Sequence, residues 1–351
     1  MFEVNRSHNG LAMAPDLSVL DLVPVPSGTP ASQAVRQSIE LAQRAEAYGY
    51  KRYWISEHHS MPAIASSSPE VLLSRVGALT ERIRIGSGGI MLPNHAPMRV
   101  AEHFRTLEAL YPGRVDLGLG RAPGSDARAN RALHANSGEH FAEMLNEMLS
   151  LSGERYGRDH PYAGVRVMPN DSPLPPIWIL GSSGASAEMA GSGGFGYSFA
   201  SHFSPMPAEP ALAGYRQAFQ ASEDFAKPHT ILGVSVICAP TDEEAENLAT
   251  TVDLMWLRLR KGEFAPIPSP DEARSYPYSS VERSAVLDNR ARHVIGSPET
   301  VARQLTDLAE RSQADELMIV SNIHDAQARL RSYELVANAM SNAEEPVSNM
   351  S

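Results

Sequence analysis

The sequence predicts a closed (β/α)8 TIM barrel with an insertion between its seventh and eighth strands, and three observations carry that prediction. Eight short aliphatic or β-branched runs alternate with amphipathic segments, which is the pattern of crossover units in a parallel sheet. Most of the runs are apolar at successive positions rather than alternating, as strands covered on both faces are. The 351 residues, 42% of them hydrophobic, exceed the ~250 typical of such a barrel, so the fold needs room for an excursion. A doubly wound open sheet is the second architecture compatible with this order.

The eight runs are 17–25, 52–56, 83–92, 115–119, 177–180, 197–200, 231–239 and 317–321. Thr29-Pro30, Ser68-Pro69 and Ser297-Pro298 each place a capping oxygen before a proline suited to the first helical position. Val35, Ile39, Ala42 and Ala45 predict one core-facing stripe, with Gly49 as a left-handed stop after Tyr48. Val100, Phe104, Leu107 and Tyr111 predict a second stripe, and Val301, Leu305 and Leu308 a third. Pro266, Pro268, Pro270 and Pro277 mark the insertion. Residues 256–292 are expected to lack a packed regular element and to form a mobile cover, 155–176 to be irregular, and 342–351 to be a frayed tail. The whole chain, 1–351, reads as one domain.

Composition excludes several functions. Thirty Lys and Arg stand against 41 Asp and Glu, a net charge of −11 that repels phosphate backbones and anionic membranes. The single cysteine, Cys238, lies in an apolar run and reads as a buried, inert thiol. No apolar stretch reaches the ~20 residues of a membrane span. The opening residues, Met1 to Arg6, lack the basic-then-apolar order of a signal peptide, so a soluble cytoplasmic protein is expected.

In a barrel the chemistry collects just beyond the C-terminal ends of the strands. There the sequence places Glu57-His58-His59, then Gly86-Ser87-Gly88-Gly89, then Gly118-Leu119-Gly120-Arg121, then Gly181-Ser182-Ser183-Gly184-Ala185-Ser186, and Ser201-His202-Phe203. Alternation along a strand puts Glu57 and His59 on one side and His58 on the other, so the trio is not a closed metal site and no metal is expected. His58 is either a proton-transfer group or a structural histidine on spacing alone. The glycines around Gly120 miss the dinucleotide spacing, and Gly181 to Ser186 lacks the P-loop ending. That small-residue loop still has the physics of a phosphate cradle, with Arg121 on the same rim to supply positive charge, the bland alternative being a plain capped helix start.

Taken in order, Trp54-Ile55-Ser56-Glu57-His58-His59, Gly86 to Pro93, Pro112-Gly113-Arg114-Val115-Asp116 to Arg121, Gly181-Ser182-Ser183 and Ile295-Gly296-Ser297-Pro298-Glu299-Thr300-Val301 resemble the bacterial luciferase-like, flavin-dependent monooxygenase family. The resemblance covers almost the entire chain. It implies reduced FMN at the strand C-termini, delivered by a separate NAD(P)H:flavin reductase, with O2 adding at the flavin C4a position. By the same resemblance His58 matches the catalytic histidine, Arg121 a flavin-phosphate arginine, Ser182, Ser183 and Ser186 phosphate-loop positions beside Gly181, and Gly88-Gly89 a non-prolyl cis peptide. Ser182 replaces an acidic residue of the light-emitting subunit and Gly120 a reactive cysteine, which points to the single-chain, non-luminescent branch. A homodimer packed near 72–79 and 100–111 is implied.

The expected function is oxygenation of an apolar organic substrate. Two alternatives stay open: hydride transfer with deazaflavin F420, which needs no oxygen, and a flavin-binding protein without catalysis.

Overall fold

The computed structural model describes residues 15–122 and 124–342. Eight parallel strands close on themselves: β1 (Asp16–Asp21), β2 (Arg52–Ile55), β3 (Arg84–Ser87), β4 (Val115–Gly120), β5 (Ile177–Gly181), β6 (Gly196–Phe199), β7 (Thr230–Cys238) and β8 (Glu316–Val320). Each pairs with the next, and β8 returns to β1 through Leu17↔Leu317, so no edge is left among them. Helices α1 (Ala31–Ala47), α2 (Pro69–Leu79), α3 (Pro97–Leu110), α4 (Ala127–Ala132), α5 (Phe141–Ser152), α6 (Gly184–Ser192) and α7 (Glu209–Ala218) connect the strands up to β7. No described helix is long and apolar enough to cross a membrane.

Local signals place these elements to within a residue. Gly49 takes the left-handed conformation (φ +86°) just past Tyr48. Helix α1 starts one residue later than the Thr29-Pro30 pair implies, with Pro30 in the capping position. Its buried face is Ala34, Ser38, Leu41, Ala42 and Ala45; Val35 and Ile39 are only half-buried, so the stripe is rotated by about one position from the apolar pattern. The residues after α5 up to Pro176 carry no helix or strand, as expected.

The insertion departs from expectation. Between β7 and β8 lie α8 (Asp242–Arg260), α9 (Pro270–Ser275), α10 (Ser280–Arg290), a short strand His293–Gly296 and α11 (Pro298–Ser312). Residues 256–292 therefore do carry packed regular elements. Their prolines do not prevent this because Pro270 sits in the first turn of α9, after the Ser269 cap, and Ser279 makes a reciprocal capping box with Glu282 at the start of α10. Ile267, 1% exposed, docks on the rim end of β1 through hydrogen bonds with Val25 and Ser27. The chain closes with α12 (Ala326–Asn342), so of the expected frayed tail Asn342 ends a helix, and 343–351 lie outside the described residues.

The barrel interior is filled by two indoles. Trp54 and Trp178 are buried and meet edge to face at 5.5 Å, surrounded by Leu20, Ile231, Met318 and Val320. Glycines paired with them on the neighbouring strands make that possible: a Cβ at Gly86 would come within 2.6 Å of the Trp54 ring nitrogen, and one at Gly196 within 2.3 Å of Trp178. Below the indoles, at the N-terminal end, Arg52 bridges Asp116 (2.8 Å) and Glu316 (3.0 Å), and Arg84 joins Asp116 (2.6 Å). Above them the interior positions are small, and the mouth opens.

Candidate active site

Four consecutive strands deliver the expected site residues to one arc of the C-terminal rim. His58 follows β2. Gly88 extends β3, its N–H donating to the Ile55 carbonyl at 2.8 Å, and the Gly88–Gly89 peptide is cis. Both glycines are needed for space: an added Cβ would meet Leu20 at 2.5 Å from Gly88, and the Gly118 carbonyl oxygen at 2.8 Å from Gly89. Arg121 follows β4. Arg121 comes one residue after β4 ends at Gly120, and Gly181 ends the neighbouring β5, the two strands pairing through Leu119 and Ile179. The Arg121 side chain is exposed and makes no ion pair among the described residues. Ser183 precedes α6 without capping it, so the helix's first N–H groups stay available to an anion. The Ser186 hydroxyl donates to the Ser183 carbonyl at 2.9 Å and lies 3.3 Å from the Tyr197 hydroxyl.

His58 projects from β2 on the side opposite Glu57 and His59. Its Nδ1 lies 3.1 Å from Ser56 Oγ, which in turn lies 3.0 Å from Ser66 Oγ. The serine pair thus engages Nδ1 and leaves Nε2 as the ring nitrogen without a protein partner. Burial pushes the His58 pKa down to about 4 despite the attraction of Glu57, so the imidazole is neutral at ordinary pH.

A second imidazole shares the mouth, one that sequence reasoning named but gave no role. His202 follows β6, which stands across the barrel from β2, and its Nδ1 is buried against Gly233 without a well-aligned hydrogen bond. Burial, with the His58 charge adding to it, pushes this ring down to about 4 as well. The only local signal was position at a strand end; what buries the ring is the missing side chain at Gly233, a residue of the next strand.

Glu57 is fully buried and accepts hydrogen bonds from His59 Nε2 (2.8 Å), the Met91 N–H (2.8 Å), Asn94 Nδ2 (2.9 Å) and His95 Nε2 (3.0 Å). Burial alone would raise its pKa, but these bonds, those of His59 and His95 foremost, hold it at about 2. His95 is raised in return by the same contact, against its own burial. Glu57 and His59 do share one side, as the strand alternation requires. No group of three metal-binding side chains is present among the described residues. Cys238 is buried and its thiol is pushed up to about 12 by burial.

The chain is an enzyme, a monooxygenase of the flavin-dependent class. It belongs to the luciferase-like monooxygenase family, whose model matches residues 16–316. It is 42% identical over 324 residues to the uncharacterized protein YceB of Bacillus subtilis, covering 92% of this chain and 98% of that one. It is 40% identical over 318 residues to a luciferase-like monooxygenase of Escherichia coli, with 91% and 95% covered. Among solved structures, apo-MsnO8 superposes with a TM-score of 0.84 at 37% identity, covering 93% of this chain and 98% of that one. The oxygenating constituent of 3,6-diketocamphane monooxygenase from Pseudomonas putida, solved with FMN, shares the fold at TM-score 0.70 and 20% identity, with 94% and 98% covered.

Proposed function

We propose that this chain is the oxygenase of a two-component, homodimeric system, taking reduced FMN from a separate reductase and using O2 to oxygenate an apolar organic substrate. The observation that carries the reading is the rim arc: an exposed Arg121 without an ion pair and the Ser182-Ser183 loop at the ends of two neighbouring strands, and a neutral, half-buried His58 two strands away. The residues fit the cofactor. Arg121, Ser182, Ser183 and the first amides of α6 present donors to a terminal phosphate, and Gly88-Gly89, packed close against Leu20 and the Gly118 carbonyl, offers a side-chain-free wall to a flat ring. Bound reduced flavin supplies the two electrons with which dioxygen is activated. His58 holds or delivers a proton at Nε2, with Ser56 engaging Nδ1.

The test is turnover with FMN, a flavin reductase and a panel of ketones, aldehydes and sulfur compounds, followed by mass, with and without oxygen. Oxygen-dependent mass gain of 18O2 label supports the reading; equal turnover without oxygen favours hydride transfer with F420. Losing Arg121 leaves the phosphate short of a charge-assisted contact of ~1.5–3 kcal/mol, so Arg121→Ala should weaken FMN binding about tenfold to a hundredfold. Riboflavin, which lacks the phosphate, should bind both proteins alike. Equal affinity of the native chain for FMN and riboflavin would remove the phosphate assignment.

Residues 256–292 act in this proposal as a cover that keeps water from the mouth. Ile267 ties them to the rim end of β1, while Phe264 is 48% exposed and free to lie over a bound apolar ligand. Replacing 262–278 by a short Gly-Ser bridge should leave FMN binding intact and raise the fraction of consumed oxygen released as hydrogen peroxide. Native coupling in that variant rules the cover out.

A further inference from the structure

The Glu-His-His motif invites a catalytic or metal reading, yet two of its three residues point away from the mouth. We propose that Glu57 is a positioning residue: its buried carboxylate bolts together the three rim loops that carry His58, Gly88-Gly89 and Arg121.

A carboxylate with no exposed surface costs several kcal/mol unless its lone pairs are filled. Here they are filled from one direction. Met91, Asn94 and His95 all belong to the loop that follows Gly88-Gly89, and His59 closes the set from the β2 side. Because His59 and His95 both donate their Nε2 hydrogens to Glu57, those nitrogens have no lone pair to offer a metal. The bolt reaches the third loop by two routes. Met91 is in the short strand Ile90–Met91, which pairs with β4 at Leu119 and Gly120, and its side chain fills the space a Cβ at Gly120 would take, 2.5 Å from the methyl carbon. Gly120 immediately precedes Arg121. The second route is main-chain: the His59 N–H donates to the Gly124 carbonyl at 3.1 Å, and Gly124, at φ +64°, brings its Cα so near Glu57 that a Cβ would stand 2.7 Å from the Glu57 carbonyl oxygen. Farther along the same loop, the Asn136 N–H donates to the Pro93 carbonyl at 2.7 Å. Moving Glu57 would therefore shift Met91, and Met91 would shift Gly120 and the guanidinium beyond it.

The consequence for function rests on the reading of the rim as a flavin site, but the bolt itself does not, and the experiment separates the two. Amide hydrogen exchange of the ligand-free, full-length chain is compared for the native protein, Glu57→Gln and His95→Phe, all at a temperature where circular dichroism shows each to be folded. Glu57→Gln turns one acceptor into a donor facing donors; His95→Phe removes a single bond and covers the case in which the first variant does not fold. Peptides spanning 88–95 and 120–126 are expected to exchange about tenfold faster in Glu57→Gln and less so in His95→Phe, while peptides over β2 and β8 keep native rates. In the same folded samples FMN affinity should fall about tenfold. Native exchange in both loops, or an increase spread evenly over the barrel, overturns the proposal, the second outcome because it marks a loss of global stability only. Faster loop exchange with native FMN affinity upholds Glu57 as the bolt and overturns its consequence for the ligand. If the native chain binds no FMN, the flavin reading falls, and the exchange pattern alone still decides whether Glu57 is the bolt.

Discussion

His58→Ala is expected to slow turnover by about 10²–10⁴-fold, the usual worth of a placed proton-transfer group, while FMN affinity stays native. The split follows from position: His58 leaves β2 on the mouth side, whereas Arg121, Ser182 and Ser183, the phosphate donors of the proposal, sit at the ends of β4 and β5. His59→Ala should cost less rate, because His59 faces Glu57 rather than the mouth. The pH dependence sharpens the expectation. Since the imidazole titrates near 4 rather than at its ordinary 6.5, the acid limb of the rate profile that belongs to His58 should lie near pH 4. The same depression makes a stability statement. The folded value lies below the unfolded one, so the contribution is present above pH 6.5 and is lost as pH falls towards 4, by at most about 1.4 kcal/mol per pH unit. Thermal melts between those limits should be less pH-sensitive in His58→Ala than in the native chain. Unchanged turnover in this variant would remove His58 from the chemistry.

Arg52→Met is the substitution expected to cost most in stability, about 3–5 kcal/mol, because it leaves buried carboxylates without their shared cation. Arg52 has a side chain 6% exposed, between Asp116 and Glu316 at 0% each, and its guanidinium also stacks over Trp178 at 4.7 Å. Methionine matches the length and keeps some of that packing, so the loss isolates the charge. A fall of about 4–7 °C in the melting midpoint is expected for a chain of this size. Turnover well below the new midpoint should be nearly native, since this network lies at the N-terminal end of the barrel and the mouth at the other. Adding Glu316→Gln to Arg52→Met should recover part of the loss by removing one stranded charge. A native melting midpoint in Arg52→Met would show that Arg84 and water suffice to hold Asp116 and Glu316.

The site was partly legible before the fold was known. Strand alternation alone separated His58 from Glu57 and His59, and the order of glycine, arginine and serine groups at successive strand ends set out the rim. Two things were not visible. The donors to Glu57 come from positions 91, 94 and 95, more than thirty residues away, and no local pattern announces them. His202 packs its ring nitrogen against the main chain of Gly233 only because Gly233 has no side chain, and that neighbour relation exists only once β6 and β7 pair.

What the sequence by itself determined is what depends on near neighbours: eight buried runs of strand length, the faces of α3 and α11, the Gly49 stop, and the Ser297 cap, which accepts from the Thr300 N–H. These are set by periodicity and by backbone preferences that act within a turn or two. The tertiary structure decided the rest. Whether the strands close was settled by the pairing of β8 with β1, across some three hundred residues, and with it the filling of the interior by Trp54 and Trp178. Arg52 and Glu316 begin β2 and β8, 264 residues apart with nothing local to pair them, and closure buries them together. The prolines of the insertion read as breakers, yet Pro270 falls in the first turn of α9, where a proline costs nothing, and α8 gives that helix a surface to pack on. In each case the deciding contact joins residues far apart in the chain, and its free energy appears only after closure has brought them together.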